Sequence, residues 1–101
     1  MIRLIVTADD ALYDRLARRA QTEGDTPHRA TNVLDGLKQA TAQPVAMIWV
    51  DMSLHAADTL LEALHSRQAT AAIPLVALAG RGRLPFELRR LCAAVLEVDT
   101  L

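Results

Sequence analysis

The stretch VAMIWVDMSLH, residues 45–55, decides the fold of this chain. Six apolar residues run without a break over 45–50, and the carboxylate of Asp51 follows directly. A continuous apolar run of strand length, with Pro44 before it and a polar break after it, is typical of a strand buried on both faces of a parallel sheet. We therefore expect Asp51 at the carboxyl end of a central strand, where open α/β sheets place their ligand or reaction site.

Length, charge and cysteine content limit the classes of protein that fit. The chain has 101 residues, 51% of them hydrophobic, which is enough for one domain with a core and too little for two, so a single domain over 1–101 is expected. The formal net charge is -1, which disfavours direct binding to nucleic acid or to an anionic membrane. The single cysteine, Cys92, cannot form an internal disulfide and fits a reducing, cytoplasmic compartment. The first apolar run is too short for a signal peptide or a membrane span.

Strand-like and helix-like segments alternate along the chain. Strands are predicted over 2–7, within 25–31, and over 45–50, 73–79 and 94–98, with amphipathic helices in the four intervals between them. Asp10 and Asn32 are predicted to cap the first two helices. This alternation predicts a parallel sheet with right-handed crossovers. In the strand order 2-1-3-4-5, the ends of strands one and three meet, which would bring Asp9, Asp10 and Asp51 into one neighbourhood.

The central strand and its surroundings resemble the receiver domain of two-component response regulators. The resemblance covers nearly the whole chain, and its most specific part is residues 50–55 followed by Asp58 and Leu61, with residues 73–78 as a second match. It implies a CheY-like, flavodoxin-like α/β fold with a doubly wound parallel sheet of five strands. In that family the aspartate that ends the third strand accepts a phosphoryl group from a histidine kinase. That position corresponds to Asp51 here.

The resemblance also implies a magnesium site beside the phosphoacceptor. Acids that end the first strand hold the ion in the family, and Asp9 matches this acidic pair together with either Ala8 or Asp10. The preferred alignment places Ala8 on one family acid and Asp9 on the other, and leaves Asp10 as the helix cap. Oxygen ligands suit a hard divalent cation, so Asp9, Asp10 and Asp51 are candidate Mg2+ ligands, with the backbone of Ser53 as a further one.

Several positions depart from the family pattern. Ala79 and Gly80 stand where the family has a Ser or Thr that hydrogen-bonds the phosphoryl group, and Asp99 stands where it has a Lys. An anion at the second position would repel a phosphoryl group. Without these two groups, a phosphoryl group would make few contacts that differ between two conformations of the domain. Phosphorylation would then shift the equilibrium between those conformations very little. His55 replaces the usual proline, and no residues remain for a fifth helix.

These departures favour an atypical receiver, a pseudo-receiver, that acts in signal transduction through protein–protein interaction and is not an enzyme. The partner would be a histidine kinase or a downstream signalling protein. Two alternatives stay open. One is a functional phosphoaccepting receiver that uses Asp51 with Mg2+, and the other is a small flavodoxin-like domain that binds an anion through Arg81 and Arg83. The sequence contains no G-x-G-x-x-G motif after the first strand and no catalytic triad or zinc pattern.

The absence of a fifth helix predicts an association surface. One face of strands four and five, including Leu75, Ala77, Val95 and Leu96, would lack its usual cover. An exposed apolar patch of this kind marks an interaction site. We therefore expect either a homodimer through the side formed by strands four and five, or cover from a following segment of a longer protein.

Overall fold

Five parallel strands form one sheet in the order β2-β1-β3-β4-β5 in a computed structural model, which describes residues 1–80 and 84–101. The strands are β1 (Ile2–Val6), β2 (Thr26–Ala30), β3 (Met47–Asp51), β4 (Leu75–Ala79) and β5 (Ala94–Glu97). The helices are α1 (Asp10–Thr22), α2 (Val33–Ala42), α3 (Ala57–Ser66) and α4 (Phe86–Arg89), and a 3-10 turn over Val98–Thr100 follows β5. The predicted fold class is confirmed: the described residues form a CheY-like α/β fold with this strand order and four α-helices, without the fifth.

Polar side chains fix where α1 and α2 begin. Asn32 caps α2, because its side chain accepts a hydrogen bond from the Asp35 N–H at 2.9 Å, as predicted. The cap predicted for α1 is wrong by one residue. Asp9, not Asp10, has extended backbone angles and accepts the Leu12 N–H at 3.0 Å, so the helix begins one residue earlier than expected. No helix within 1–80 and 84–101 is long and apolar enough to cross a bilayer.

The two faces of the sheet carry separate apolar clusters. One cluster lies between the sheet and α2, α3 and α4, and the other lies between the sheet and α1. Leu75 and Ala77 are 3% and 0% exposed in the first cluster, and Val95 packs against it. The prediction that Leu75 and Ala77 lack cover is therefore wrong. Side chains alternate along a strand, and the face of β4 without a fifth helix is the one that carries Val76.

Trp49 belongs to the cluster on the α1 side and is packed in the core, as predicted. The guanidinium groups of Arg3 and Arg19 lie over its ring, 5.1 and 5.2 Å from the centroid. Arg3 is itself buried and is ion-paired with Glu23 and with Asp25, each at 2.7 Å. Arginine side chains therefore cover part of the sheet that a fifth helix would otherwise reach.

Candidate functional site

The pairing of β1 with β3 determines which residue lies beside Asp51. Val6 is opposite Val50 in the parallel register, so the next residues, Thr7 and Asp51, meet at the carboxyl ends of the two strands. Both side chains are buried, with Thr7 0% and Asp51 4% exposed. The structure thus places Asp51 where the sequence predicts it, at the end of a central strand, but its neighbour on β1 is a hydroxyl.

Two hydroxyl groups and one backbone amide bind the Asp51 carboxylate, and we call this arrangement the hydroxyl clamp (Thr7, Asp51 and Ser53). The Thr7 hydroxyl donates to Oδ2 at 2.7 Å, and the Ser53 hydroxyl donates to Oδ1 at 2.7 Å. The Ser53 N–H also donates to Oδ1, at 3.0 Å. Hydrogen bonds to a carboxylate are among the stronger ones in proteins. Both oxygens of Asp51 are therefore engaged within the protein.

Thr7 is also fixed from its other side. Its hydroxyl accepts the Asp9 N–H at 3.1 Å, and its backbone N–H donates to the Ala30 carbonyl oxygen at 2.9 Å. Its own carbonyl oxygen accepts from Arg29 Nε at 3.3 Å. The backbone of Thr7 is thus anchored at both its N–H and its carbonyl, and its hydroxyl is engaged by both Asp51 and the Asp9 N–H.

The two acids after β1 are engaged elsewhere. Asp9 caps α1, and Asp10 lies in the first turn of that helix, where its carboxylate pairs with Arg29 at 2.8 Å. Both residues are exposed, whereas Asp51 is buried. The strand ends at Val6, so Asp9 and Asp10 lie beyond the end of the sheet where Thr7 meets Asp51.

The donor set does not fit Mg2+. Within 1–80 and 84–101, no group of three or more His, Cys, Asp or Glu side chains lies close enough to hold a metal ion. A magnesium site needs oxygen ligands directed at one point, commonly with one or two carboxylates. Here the Asp51 oxygens accept from hydroxyl and amide donors, and Asp9 and Asp10 bind other groups.

A crevice opens next to the clamp at the ends of β3 and β4, and we call it the β3–β4 crevice. Its volume is about 680 Å³, and its lining is of mixed polar and apolar character. The described lining residues are Met52, Ser53, Leu54, Ala57, Asp58, Ala79, Gly80, Leu84, Pro85, Leu88 and Asp99. The two positions that depart from the receiver pattern, Ala79 and Asp99, thus lie in the same crevice.

Arg81 and Arg83, the predicted anion-binding residues, lie outside the described residues. In the described part of the lining, Asp58 and Asp99 are the charged side chains, and both are exposed. Two exposed carboxylates therefore belong to the described part of the lining.

Cys92 has no feature of a reactive thiol. It is half-buried against the apolar cluster on the α3 side, and its Sγ lies 3.5 Å from the Leu88 carbonyl oxygen. Burial raises the pKa of the Cys92 thiol above its ordinary value, because the thiolate would lose hydration. The thiol form is therefore favoured at neutral pH, which suits a side chain that packs against the apolar cluster.

Comparison with known proteins gives matches in structure. No protein-family model and no curated protein matches the chain. A sensor protein from Polaromonas sp. JS666 superposes with a TM-score of 0.85 at 22% identity, covering 95% of this chain and 82% of that one. A receiver domain (CheY-like) of a response regulator from Methylobacillus flagellatus has a TM-score of 0.86 at 19% identity, covering 96% and 85%. The chain has the CheY-like fold.

A third match is the response regulator TrrA from Thermotoga maritima, whose crystal structure is a complex with Mg2+ and beryllofluoride. Its TM-score is 0.84 at 13% identity, covering 95% of this chain and 84% of that one. TrrA has also been solved in complex with the histidine kinase ThkA. At these identities the likeness establishes the shared CheY-like fold.

Thr7 is the site residue that the sequence interpretation missed. The sequence places it inside the first predicted strand, and the predicted Mg2+ ligands on this side are the acids that follow. The available signal was the register: if the apolar runs of β1 and β3 are aligned residue by residue, Thr7 falls opposite Asp51. Thr is a common strand residue, so composition alone does not mark this position as part of a site.

Proposed function

We propose that this chain is an atypical receiver domain, a pseudo-receiver, that serves signal transduction by binding a protein partner and is not switched by phosphorylation of Asp51. On this proposal the domain works in the cytoplasm as a binding module without enzymatic activity. It contacts neither nucleic acid nor membrane.

The hydroxyl clamp is the observation that carries the proposal. Phosphoryl transfer to a carboxylate needs a free oxygen and a cation that neutralises charge on the transferred group. Asp51 is 4% exposed and both its oxygens accept hydrogen bonds, while Thr7 stands where the neighbouring strand would have to supply a ligand. Ala79 and Asp99 bring neither a hydroxyl nor a cation to the adjoining crevice. The arrangement suits a fixed structural carboxylate better than a reactive one.

The CheY-like fold supports a partner that is a protein. A structural neighbour, TrrA, forms a complex with a histidine kinase, and we extend to this chain the general role of a protein-binding domain in signalling. The partner would be a histidine kinase or a downstream signalling protein.

A phosphoaccepting receiver is the second candidate function. The position of Asp51 at the end of β3 favours it, as does the Mg2+ and beryllofluoride complex of TrrA. The anion-binding alternative depends on Arg81 and Arg83, so no contact in the described residues bears on it.

Addition of beryllofluoride and Mg2+ separates the two candidates. The ligand mimics a phosphoryl group, so a phosphoaccepting receiver would gain thermal stability and show shifts of the amide NMR signals around Asp51. We expect the wild-type protein to show neither effect at millimolar ligand. Asp51→Asn is the matched control, because it keeps the side-chain shape and removes the acceptor. A stoichiometric response of the wild type that this variant lacks would refute the pseudo-receiver proposal.

A further inference from the structure

We propose that the α1 side of the sheet binds an amphipathic helix of a partner protein, with the apolar stripe of that helix on β3–β5 and its acidic side chains toward α1. The site is a groove over Met47, Trp49, Val76, Ala94 and Leu96 that Arg19 borders, and we call it the α1-side groove. This inference rests on the proposed function, because it names the kind of partner that a protein-binding pseudo-receiver would take.

The arrangement of helices leaves room for one more helix on this face of the sheet. Among the helices of the described residues, α2, α3 and α4 pack on the opposite face, and α1 alone packs on this one, over β1 and β2. Neighbouring strands lie about 4.8 Å apart, so β3, β4 and β5 together span about the 10 Å that one packed helix needs. The width of the open part therefore fits a helix.

The floor of the groove is apolar. Trp49 and Val76 are each 4% exposed, Met47 and Leu96 are half-buried, and Ala94 is exposed. Exposure is greatest on β5, the edge strand. The volume is about 340 Å³, which holds the side chains along one stripe of a helix while the helix itself stays above the groove.

The side of α1 that borders the groove is basic. Arg15 and Arg19 are four residues apart, so they lie on the same side of the helix. The Arg19 guanidinium lies over the Trp49 ring, 5.2 Å from the centroid, and Arg15 donates to the Leu101 carbonyl oxygen at 2.8 Å. Both partners belong to the apolar cluster on the α1 side, so both guanidinium groups lie at the edge of the groove.

The acids of the chain leave this edge with an excess of positive charge. Glu23 is the acid in the groove lining, and it lies 2.7 Å from buried Arg3 but 3.8 Å from Arg19. Arg15 forms no ion pair with an Asp or Glu of the described residues, and residues 81–83 contain no acid. Acidic side chains of a docked helix would pair with the two arginines of α1, and basic ones would be repelled.

A second copy of this chain does not offer the helix that the groove fits. Within the described residues, the exposed large apolar side chains are Met1, Leu34 and Phe86. Leu34 is the single one on α2, and Phe86 lies on α4, which has four residues. Neither helix presents an exposed apolar stripe, so we assign the groove to a different protein.

Titration with a pair of synthetic peptides tests this inference. One peptide has leucines at helical spacing with glutamates beside them, and the other replaces each glutamate with lysine. We expect the glutamate peptide to bind more tightly in calorimetry, to weaken as salt rises, and to shift the amide NMR signals of Val76, Ala94 and Leu96. Arg15→Gln with Arg19→Gln should weaken its binding by about twofold to thirtyfold.

Two further variants separate the groove from general charge effects. Arg89→Gln with Arg90→Gln removes the same charge in and after α4, on the opposite face of the sheet, and it should leave the affinity unchanged. Ala94→Glu places a carboxylate at an exposed position of the groove, and it should abolish binding of the glutamate peptide in a protein that circular dichroism shows to be folded.

The inference is wrong if the two peptides bind equally, if neither binds, if the NMR shifts lie on the α3 side of the sheet, or if the double glutamine variant of α1 keeps full affinity. Preference for the lysine peptide would also overturn it. Loss of peptide binding as the protein concentration rises would assign the groove to a second copy instead. None of these results involves Asp51, so they are distinguishable from the response to beryllofluoride and Mg2+ that tests the pseudo-receiver proposal.

Discussion

Thr7 sets the chemistry of Asp51, because a hydroxyl donates a hydrogen bond at the place where a second carboxylate would add negative charge. The hydrogen bond between them, 2.7 Å long, joins two side chains that are almost fully buried. The position of Asp51 was predictable from the sequence, since six apolar residues before an acid form a strong signal. The role of Thr7 was not, because it depends on a strand register that shifts with every one-residue error at a strand end.

Replacement of Thr7 by aspartate should create a dependence on Mg2+. Thr7→Asp would set two carboxylates against each other in a buried place, which we expect to lower the free energy of unfolding by about 1–3 kcal/mol in the presence of a chelator. A divalent cation between the carboxylates would restore part of this loss. Thermal unfolding with EDTA and with millimolar Mg2+ measures both effects.

Thr7→Val is the matched control for this experiment, because it has nearly the same shape and lacks the hydroxyl. It should lose about 1–3 kcal/mol through the unpaired Asp51 oxygen, and Mg2+ should have no effect on it. If wild type and Thr7→Asp respond equally to Mg2+, the hydroxyl clamp is not what excludes the ion.

Among the elements, α2 shows how packing overrides helix propensity. From the sequence, Gly36 costs this helix about 1 kcal/mol relative to alanine. In the structure Gly36 is buried against β1, and a Cβ added there would lie 3.1 and 3.2 Å from the two γ-carbons of Val6. The glycine therefore permits a close approach of helix and sheet, which composition and helical periodicity do not reveal.

Gly36→Ala should therefore destabilise the protein despite the better helix former. The gain in helix propensity of about 1 kcal/mol is opposed by overpacking that typically costs about 1–3 kcal/mol. Urea denaturation of the variant measures the net change. In Val6→Ala the γ-carbons are gone, so the same glycine substitution should stabilise that background. If Gly36→Ala stabilised the wild-type protein, the Val6 side chain would have moved aside without a cost in free energy, which would contradict the prediction.

The alternation of side chains along β4 explains the largest error of the sequence interpretation, which concerns the face that lacks cover. Leu75 and Ala77 were expected on an uncovered face, but they point toward α3 and α4, and Val76 and Leu78 occupy the α1 side. The apolar run of β4 is continuous, so it carries no alternation that could assign its residues to one face. The continuous apolar run made the strand itself predictable. Because the run is continuous, it gave no signal for which of its side chains face which side of the sheet.

At the scale of the whole molecule, the side formed by β4 and β5 remains the predicted site of self-association. β5 is an edge strand of four residues, and the most exposed apolar side chain in this region is Phe86 of α4. An edge strand and an exposed aromatic residue are features on which a second copy can pack.

A homodimer through this side should depend on Phe86. We expect concentration-dependent dimerisation in analytical ultracentrifugation, with Phe86→Ser raising the dissociation constant by about tenfold through lost apolar contact. Leu34→Ser is the control, because Leu34 is 64% exposed on α2, away from this side. A monomer at all concentrations, or equal effects of the two substitutions, would contradict the prediction.

The environment of Trp49 has a consequence for how this protein can be observed. It is the single tryptophan of the chain, it is 4% exposed, and two guanidinium groups lie over its ring on the α1 side of the sheet. Its fluorescence emission should therefore be that of a shielded indole and should shift to the red when the sheet and α1 separate. A ligand in the β3–β4 crevice contacts the opposite face and leaves the indole in place. Intrinsic fluorescence therefore reports unfolding of this molecule. Binding at the crevice would leave the tryptophan emission unchanged, so its detection by fluorescence needs an added label.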